Sequence, residues 1–171
     1  KDEKLIIKSR LLLNSFTRSR FFSFETFVLF IIQKSNASLS TSLIDYFSNT
    51  DSCVPGKSAF SQARSGLCYK VFKRLNLMII KIFYQQSSYK KWKGFRILAV
   101  DGSTLRLPDH DSLKQKFSQH LFGAGRTKQR WMSRISFLYD VLNNIVIDAQ
   151  MDSFDTSEAS LCQQHLGFLR K

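Results

Sequence analysis

The chain has 171 residues, and its 26 Lys and Arg against 13 Asp and Glu give a formal net charge of +13. It is 43% hydrophobic and 13% aromatic, which argues against intrinsic disorder and predicts a buried core. The positive excess favours a polyanionic partner.

The spacing of the cysteines and the length of the hydrophobic runs exclude two cysteine motifs and a membrane span. The three cysteines, Cys53, Cys68 and Cys162, form no C-x-x-C pair, so a zinc ribbon and a thioredoxin-type redox motif are excluded. The longest hydrophobic run, residues 21–32, is well short of the roughly 20 residues that a membrane span needs. We therefore expect a cytoplasmic protein without a membrane segment.

The first half of the chain is basic and has helical periodicity. Residues 1–95 carry a net charge of +11, against +2 for residues 96–171. Helices are predicted at 5–13, at 22–33 with Ser23 as N-cap, and at 41–47 with Ser40 as N-cap, followed by a turn at 49–56. A helix-turn-helix around this turn stays open as an interpretation.

A long apolar stripe follows the turn. Gly66 interrupts it, so we expect either a close helix contact or a break there. Its members recur every three or four residues, as in a buried helix face: Phe60, Ala63, Leu67, Val71, Leu75, Met78 and Ile82.

The second half changes to strand periodicity. Strands are predicted at 95–100, 131–142 and 145–151, the last two as a hairpin across Asn143-Asn144, and then a helix capped by Asp155. This order is typical of the opening of an α/β or α+β sheet whose remaining strands are missing, and we expect the α+β class. Because the chain lacks an initial Met and its last residues are helical, we expect it to be part of a longer protein.

Asp101 is the strongest candidate for chemistry. It follows the apolar run Ala99-Val100, and Gly102-Ser103-Thr104 comes next. A carboxylate fixed at or near a buried strand end is what a divalent metal requires, because Mg²⁺ prefers rigid oxygen ligands. The same tetrapeptide is also common in ordinary turns, and one carboxylate does not make a metal site.

Three segments together resemble the DDE transposases of bacterial insertion sequences, of the insertion-sequence-four group. Residues 57–64, KSAFSQAR, are similar to the family's basic helix upstream of the catalytic domain. Residues 98–108, LAVDGSTLRLP, are similar to its first catalytic strand. Residues 138–144, LYDVLNN, with 147–150, IDAQ, are similar to the hairpin that follows. The resemblance covers roughly residues 20–171.

The resemblance implies a fold, a metal and a partner. It implies a helical DNA-binding region at 1–93 and the start of an RNase H-like catalytic domain at 94–171. Asp101 matches the family's first acid, a ligand of two Mg²⁺ (or Mn²⁺) ions in a complete enzyme that carries out phosphodiester hydrolysis and strand transfer. The implied partner is double-stranded DNA at insertion-sequence ends, and self-association is left open. Residues expected to grip DNA phosphates are Lys57, Arg64, Lys70, Lys73, Arg74, Lys90, Lys91, Lys93 and Arg106.

The sequence also departs from the family. Its second Asp usually lies in a D-R-G-Y-like segment and its third acid in a helix containing Tyr-Arg-Glu, and neither segment occurs here. We therefore expect this chain alone not to cut DNA. Two alternatives remain. One is a different metal-dependent nuclease that shares the strand motif. The other is a non-catalytic basic module that binds nucleic acid through Tyr89, Lys90, Lys91, Trp92 and Lys93.

Overall fold

The computed structural model describes residues 3–17, 21–48, 53–126 and 128–169. Within them the chain is a mixed α+β protein with six α-helices and one four-stranded antiparallel sheet. It divides into two compact units, Lys1–Leu75 and Asn76–Lys171. The division of function expected at residues 93 and 94 stays a prediction.

The first unit is helical. It contains α1 (Glu3–Ser9), α2 (Phe24–Gln33), α3 (Leu39–Phe47), α4 (Lys57–Ser65) and the beginning of α5 (Lys70–Gln86). Its core is built on phenylalanine: Phe27 is fully buried and packs edge-on against Phe22, with ring centroids 5.2 Å apart. Such aromatic pairs add about 0.5–1.5 kcal/mol each beyond the area they bury. The helix predicted at 22–33, which is α2, therefore lies at the centre of this unit.

Serine hydroxyls fix where two of these helices begin. The Thr26 N–H donates to Ser23 Oγ at 3.1 Å, which confirms Ser23 as the N-cap of α2. The predicted cap of α3 was wrong, because the Thr41 N–H donates to Ser38 Oγ and the helix begins before Ser40. The turn predicted at 49–56 lies partly outside the described residues, so the helix-turn-helix around it stays a prediction.

The apolar stripe is broken at Gly66, one of the two outcomes expected. Backbone hydrogen bonds join residues 66–68 to residues 9–11, which also explains why α1 ends at Ser9 instead of continuing to residue 13 as predicted. Leu67 and Val71 are buried beside this contact, whereas Met78 and Ile82 are exposed. Only the first part of the stripe therefore faces the helical core.

Replacing Gly66 by alanine is expected to destabilise the first unit. A Cβ at this position would lie 2.5 Å from Ser15 Oγ and 2.9 Å from Ser15 Cβ, so the two chain segments would have to separate. Overpacking of this kind costs about 1–3 kcal/mol. Urea denaturation followed by circular dichroism measures the loss. Gly56→Ala is the control, because its Cβ would meet nothing closer than 4.0 Å. Equal stability of the two variants would contradict the prediction.

The second unit is built on an antiparallel sheet. It contains the rest of α5, β1 (Leu98–Arg106), β2 (Ser118–Phe122), β3 (Lys128–Asp140), β4 (Ile145–Ser153) and α6 (Glu158–Leu169). The predicted β3–β4 hairpin is confirmed, but β3 ends at Asp140 instead of residue 142, so the turn is residues 141–144 and not the Asn143-Asn144 pair alone. The first strand was predicted at 95–100, but it begins later and continues through the Asp-Gly pair. β2 was predicted to be loop.

β3 is the central strand of the sheet. β1 pairs with residues 132–140 of β3 along one edge. β4 pairs with residues 133–140 and β2 with residues 128–132. A 3.0 Å hydrogen bond between the Ser118 and Ser153 hydroxyls brings the ends of β2 and β4 together on the other edge. Among the described residues, β1 has no strand partner besides β3.

Helix α6 covers one face of the sheet. Leu161 and His165, one turn apart, are both fully buried against it. The predicted cap Asp155 was wrong: the helix begins at Glu158, and the Ser160 N–H donates to Ser157 Oγ at 3.1 Å. No helix in the described part of the chain is both long and apolar enough to cross a membrane.

Candidate catalytic strand and nucleic-acid interface

Asp101 lies inside β1, as the fourth of nine strand residues and directly opposite Phe137 of β3. The expectation that Asp101 lies on the first strand of the sheet is confirmed, but the expectation of a buried strand end was wrong. Eight of the nine β1 positions are exposed, and among the described residues β1 is an edge strand whose backbone pairs on one side only. Asp101 is in neither a side-chain hydrogen bond nor an ion pair with any described residue. Within the described part of the chain, no group donates a hydrogen bond to its oxygens.

Strand alternation places Asp101 on the sheet face opposite α6. A Cβ at Gly102 would lie 3.4 Å from Glu158 of α6, so Gly102 faces the helix and its neighbour Asp101 faces away. The side chains of Leu105 and Phe137 share the face of Asp101 and are 45% and 38% exposed. Asp101 thus stands on a sheet face that includes exposed apolar side chains.

The other carboxylates near the sheet are engaged elsewhere. Asp109 accepts from the Trp131 indole N–H at 3.0 Å, and Asp152 accepts from the Ser153 N–H. No group of three His, Cys, Asp or Glu with the geometry of a metal site occurs among the described residues. The residues described therefore do not fit a two-metal site, which needs shared carboxylates around ions about 3.5–4 Å apart.

Asp140 is buried and organises the end of the hairpin. Its carboxylate accepts from the Tyr84 hydroxyl at 2.5 Å and from the side-chain amide and backbone N–H of Asn143 at 2.9 and 3.2 Å. Burial opposes ionisation, but these hydrogen bonds outweigh it and hold the pKa of Asp140 below its usual value. Burial and the neighbouring carboxylate raise the pKa of Tyr84 to about 12. Asp140 therefore caps the turn between β3 and β4.

A serine, a histidine and an aspartate form a hydrogen-bonded chain that sequence reasoning missed. His165 Nδ1 lies 2.8 Å from Asp148 Oδ2, and His165 Nε2 lies 3.0 Å from Ser136 Oγ. All three side chains are buried, so no substrate carbonyl can reach the serine. The chain therefore ties α6 to β3 and β4. Leu161 and His165 are four residues apart and so share one face of a helix. This spacing is the one sequence signal that could have indicated a buried histidine.

The basic residues predicted in the first unit lie on two helices. Lys57 and Arg64 are seven residues apart on α4, and Lys70 and Lys73 lie in the first turn of α5, so each pair shares a helix face. These four side chains are exposed. Arg74 differs, because its guanidinium donates to the Lys8 carbonyl oxygen at 2.9 Å.

The remaining predicted cations belong to the second unit. Lys90, Lys91 and Lys93 lie in a segment after α5, and Arg106 ends β1; all four are exposed. Residues 1–75 carry a net charge of +7 and residues 76–171 carry +6, so the positive charge is shared by both units. No Asp or Glu occurs from residue 52 to residue 100.

Comparisons with known proteins add no further assignment: no family model, no curated protein and no solved structure matches this chain.

Replacing Tyr84 by phenylalanine is expected to destabilise the second unit at neutral pH. It removes a hydrogen bond to a buried carboxylate, a loss of about 1.5–3 kcal/mol. The effect depends on pH in a defined direction. The Tyr84 pKa rises from 10.0 to about 12 on folding. Its contribution is therefore complete below pH 10 and disappears as the pH rises toward 12.

Urea denaturation of wild type and Tyr84→Phe between pH 7 and pH 12 measures this difference. The wild type should lose its advantage over the variant across the alkaline range. Tyr69→Phe is the matched control, because Tyr69 is exposed and lies in the other unit. An advantage that persists unchanged at the alkaline end would contradict the assignment.

Proposed function

We propose that the chain is the DNA-binding and first catalytic part of a DDE transposase with an RNase H-like domain. The observation that carries the proposal is the position of Asp101 within β1, followed by the antiparallel strands β3 and β4 and then by α6. This order agrees with what the resemblance implies for the catalytic domain. The short strand β2 is an addition to that order.

The unfinished character of the sheet supports the same proposal. β1 has one strand partner among the described residues, and the sheet face that carries Asp101 includes exposed apolar side chains. Exposed edges and apolar faces are unfavourable in isolated domains. A further strand beside β1 and a helix over the Asp101 face would cover both.

In this proposal Asp101 is a metal ligand of the complete site, with Mg²⁺ or Mn²⁺. The chain itself supplies one of the three acids, so its own contribution is binding. The alternative is a non-catalytic basic module that binds nucleic acid. The DNA downstream of the coding sequence distinguishes them: an in-frame segment with two further acids, or flanking inverted repeats, supports the transposase.

The exposed cations predict duplex binding with a steep salt dependence and little sequence preference. If Lys57, Arg64, Lys70 and Lys73 each neutralise one phosphate, they contribute about −3.6 to the slope of log K against log salt concentration. Fluorescence anisotropy with a labelled duplex, from about 50 to 200 mM salt, measures the slope. Changing all four residues to Gln should remove this part of it.

Lys34→Gln is the control for that experiment. It also removes one positive charge from the first unit, but the Lys34 ammonium already donates to the carbonyl oxygens of Ser35 and Ala37. Its slope should remain close to wild type. Affinity that does not change with salt, or an equal loss in Lys34→Gln and the fourfold variant, would count against a phosphate-binding surface on α4 and α5.

The isolated chain is expected to show no strand cleavage or strand transfer with Mg²⁺ or Mn²⁺. Asp101 alone cannot hold two divalent cations, because Mg²⁺ gives up its hydration water reluctantly. A plasmid-nicking assay with wild type and Asp101→Ala tests this. Metal-dependent nicking that disappears in Asp101→Ala would mean that acids of this chain complete a site and would overturn the prediction.

A further inference from the structure

The segment after α5 forms a small hairpin that presents aromatic rings. The Trp92 N–H donates to the Phe95 carbonyl oxygen and the Phe95 N–H to the Trp92 carbonyl oxygen, both at 2.9 Å. Lys93 and Gly94 between them have φ of 49° and 84°, the left-handed pair typical of a type I′ turn. We call residues 89–96 the aromatic hairpin.

The base of the aromatic hairpin is held rigidly. The Lys90 N–H donates to Asn143 Oδ1 at 2.7 Å, and the Asn143 amide donates back to the Lys90 carbonyl oxygen at 3.0 Å. Asn143 is itself fixed by the buried Asp140 carboxylate. The tip is therefore preorganised, and a ligand bound there need not pay for ordering it.

The tip exposes two large aromatic side chains. Trp92 and Phe95 are 55% and 69% exposed, although burying such an apolar side chain is favourable. They are partners in an isolated antiparallel bridge, and cross-strand partners project from the same face. Two accessible aromatic side chains thus project from one face of a small, fixed structure.

Ammonium groups lie over two rings of the aromatic hairpin. Lys93 Nζ lies over the Trp92 ring, 4.8 Å from its centre, and Lys91 Nζ lies over the Tyr89 ring, 4.7 Å from its centre. The whole hairpin lies in the stretch of residues 52–100, which contains no Asp or Glu. An exposed ring with an ammonium group over one face fits a nucleobase that stacks on the open face next to its own phosphate.

We propose that the aromatic hairpin binds unpaired nucleotides of DNA, stacking a base on Trp92 and Phe95 while Lys91 and Lys93 contact the adjoining phosphates. In an intact duplex the faces of the bases are covered by their neighbours, so only an unpaired base can stack in this way. The inference rests on the proposed DNA-binding function and adds a second ligand state to it.

The test compares a labelled single-stranded oligo-dT with a duplex of equal length, bound to the full chain. Stacking is worth about 1–3 kcal/mol per base, so Trp92→Ala and Phe95→Ala should each weaken single-strand binding by about 5- to 150-fold. Duplex affinity should change less than twofold. Trp92→Phe should retain most of the single-strand affinity, because it keeps an aromatic face.

Two controls separate stacking from charge. The double variant Lys91→Gln, Lys93→Gln should weaken the binding of both the single strand and the duplex, because both carry phosphates. Tyr69→Ala removes an equally exposed aromatic ring from the first unit and should affect neither.

Tryptophan fluorescence gives an independent readout. The chain has two tryptophans, Trp92 and the buried Trp131, so quenching by oligo-dT in Trp131→Phe reports on Trp92 directly.

Four results would overturn the inference. These are an equal loss for duplex and single strand in Trp92→Ala, no quenching of Trp92, tighter binding of oligo-rU than of oligo-dT, and quenching by phosphatidylserine vesicles but not by oligo-dT. Duplex binding that fails while hairpin-dependent single-strand binding persists would instead count against the transposase proposal and leave the hairpin site standing.

Discussion

The second unit depends on one buried carboxylate. Asp140, at the end of β3, accepts hydrogen bonds from Tyr84 of α5 and from Asn143 of the hairpin turn. A buried charge is tolerated only when it is fully hydrogen-bonded, so α5 and the turn must keep this arrangement. Through the Asn143 amide the same constraint extends to the backbone of Lys90. An interior charge thus positions an exterior, positively charged segment.

Asp101 and Asp140 show how environment divides two identical side chains between different roles. Asp140 is buried and accepts hydrogen bonds from Tyr84 and Asn143, and these donors hold its pKa below the usual value. Asp101 stands on an exposed edge strand beside Phe137 and has no described partner. A carboxylate in that position contributes little to the fold. This is consistent with a function that requires further acids to act.

Local signals in the sequence were sufficient where structure is decided locally. The Ser23 cap, the break at Gly66 and the Asn143-Asn144 hairpin all follow from side-chain chemistry within a few residues. The extent of β1 could not be predicted in this way. Asp101-Gly102 is typical of a turn, and only the pairing with β3 keeps these two residues in a strand. β2 was missed for the same reason. It is short, begins with three polar residues, and is a strand because it pairs with residues 128–132 of β3. The Ser136, Asp148 and His165 contacts depend on tertiary packing that no local pattern records.

The positive charge is distributed differently along the sequence and between the two compact units. By sequence position, residues 1–95 hold most of the positive excess, which suggests binding by the helices alone. By compact unit, residues 76–171 hold nearly as much, because Lys81 and the cations of the aromatic hairpin belong with the sheet. Charge attracts any phosphate backbone, so it cannot distinguish one form of DNA from another. Exposed aromatic rings can, because they require a base face that a closed duplex does not offer. Selectivity in this protein is therefore to be sought at Trp92 and Phe95.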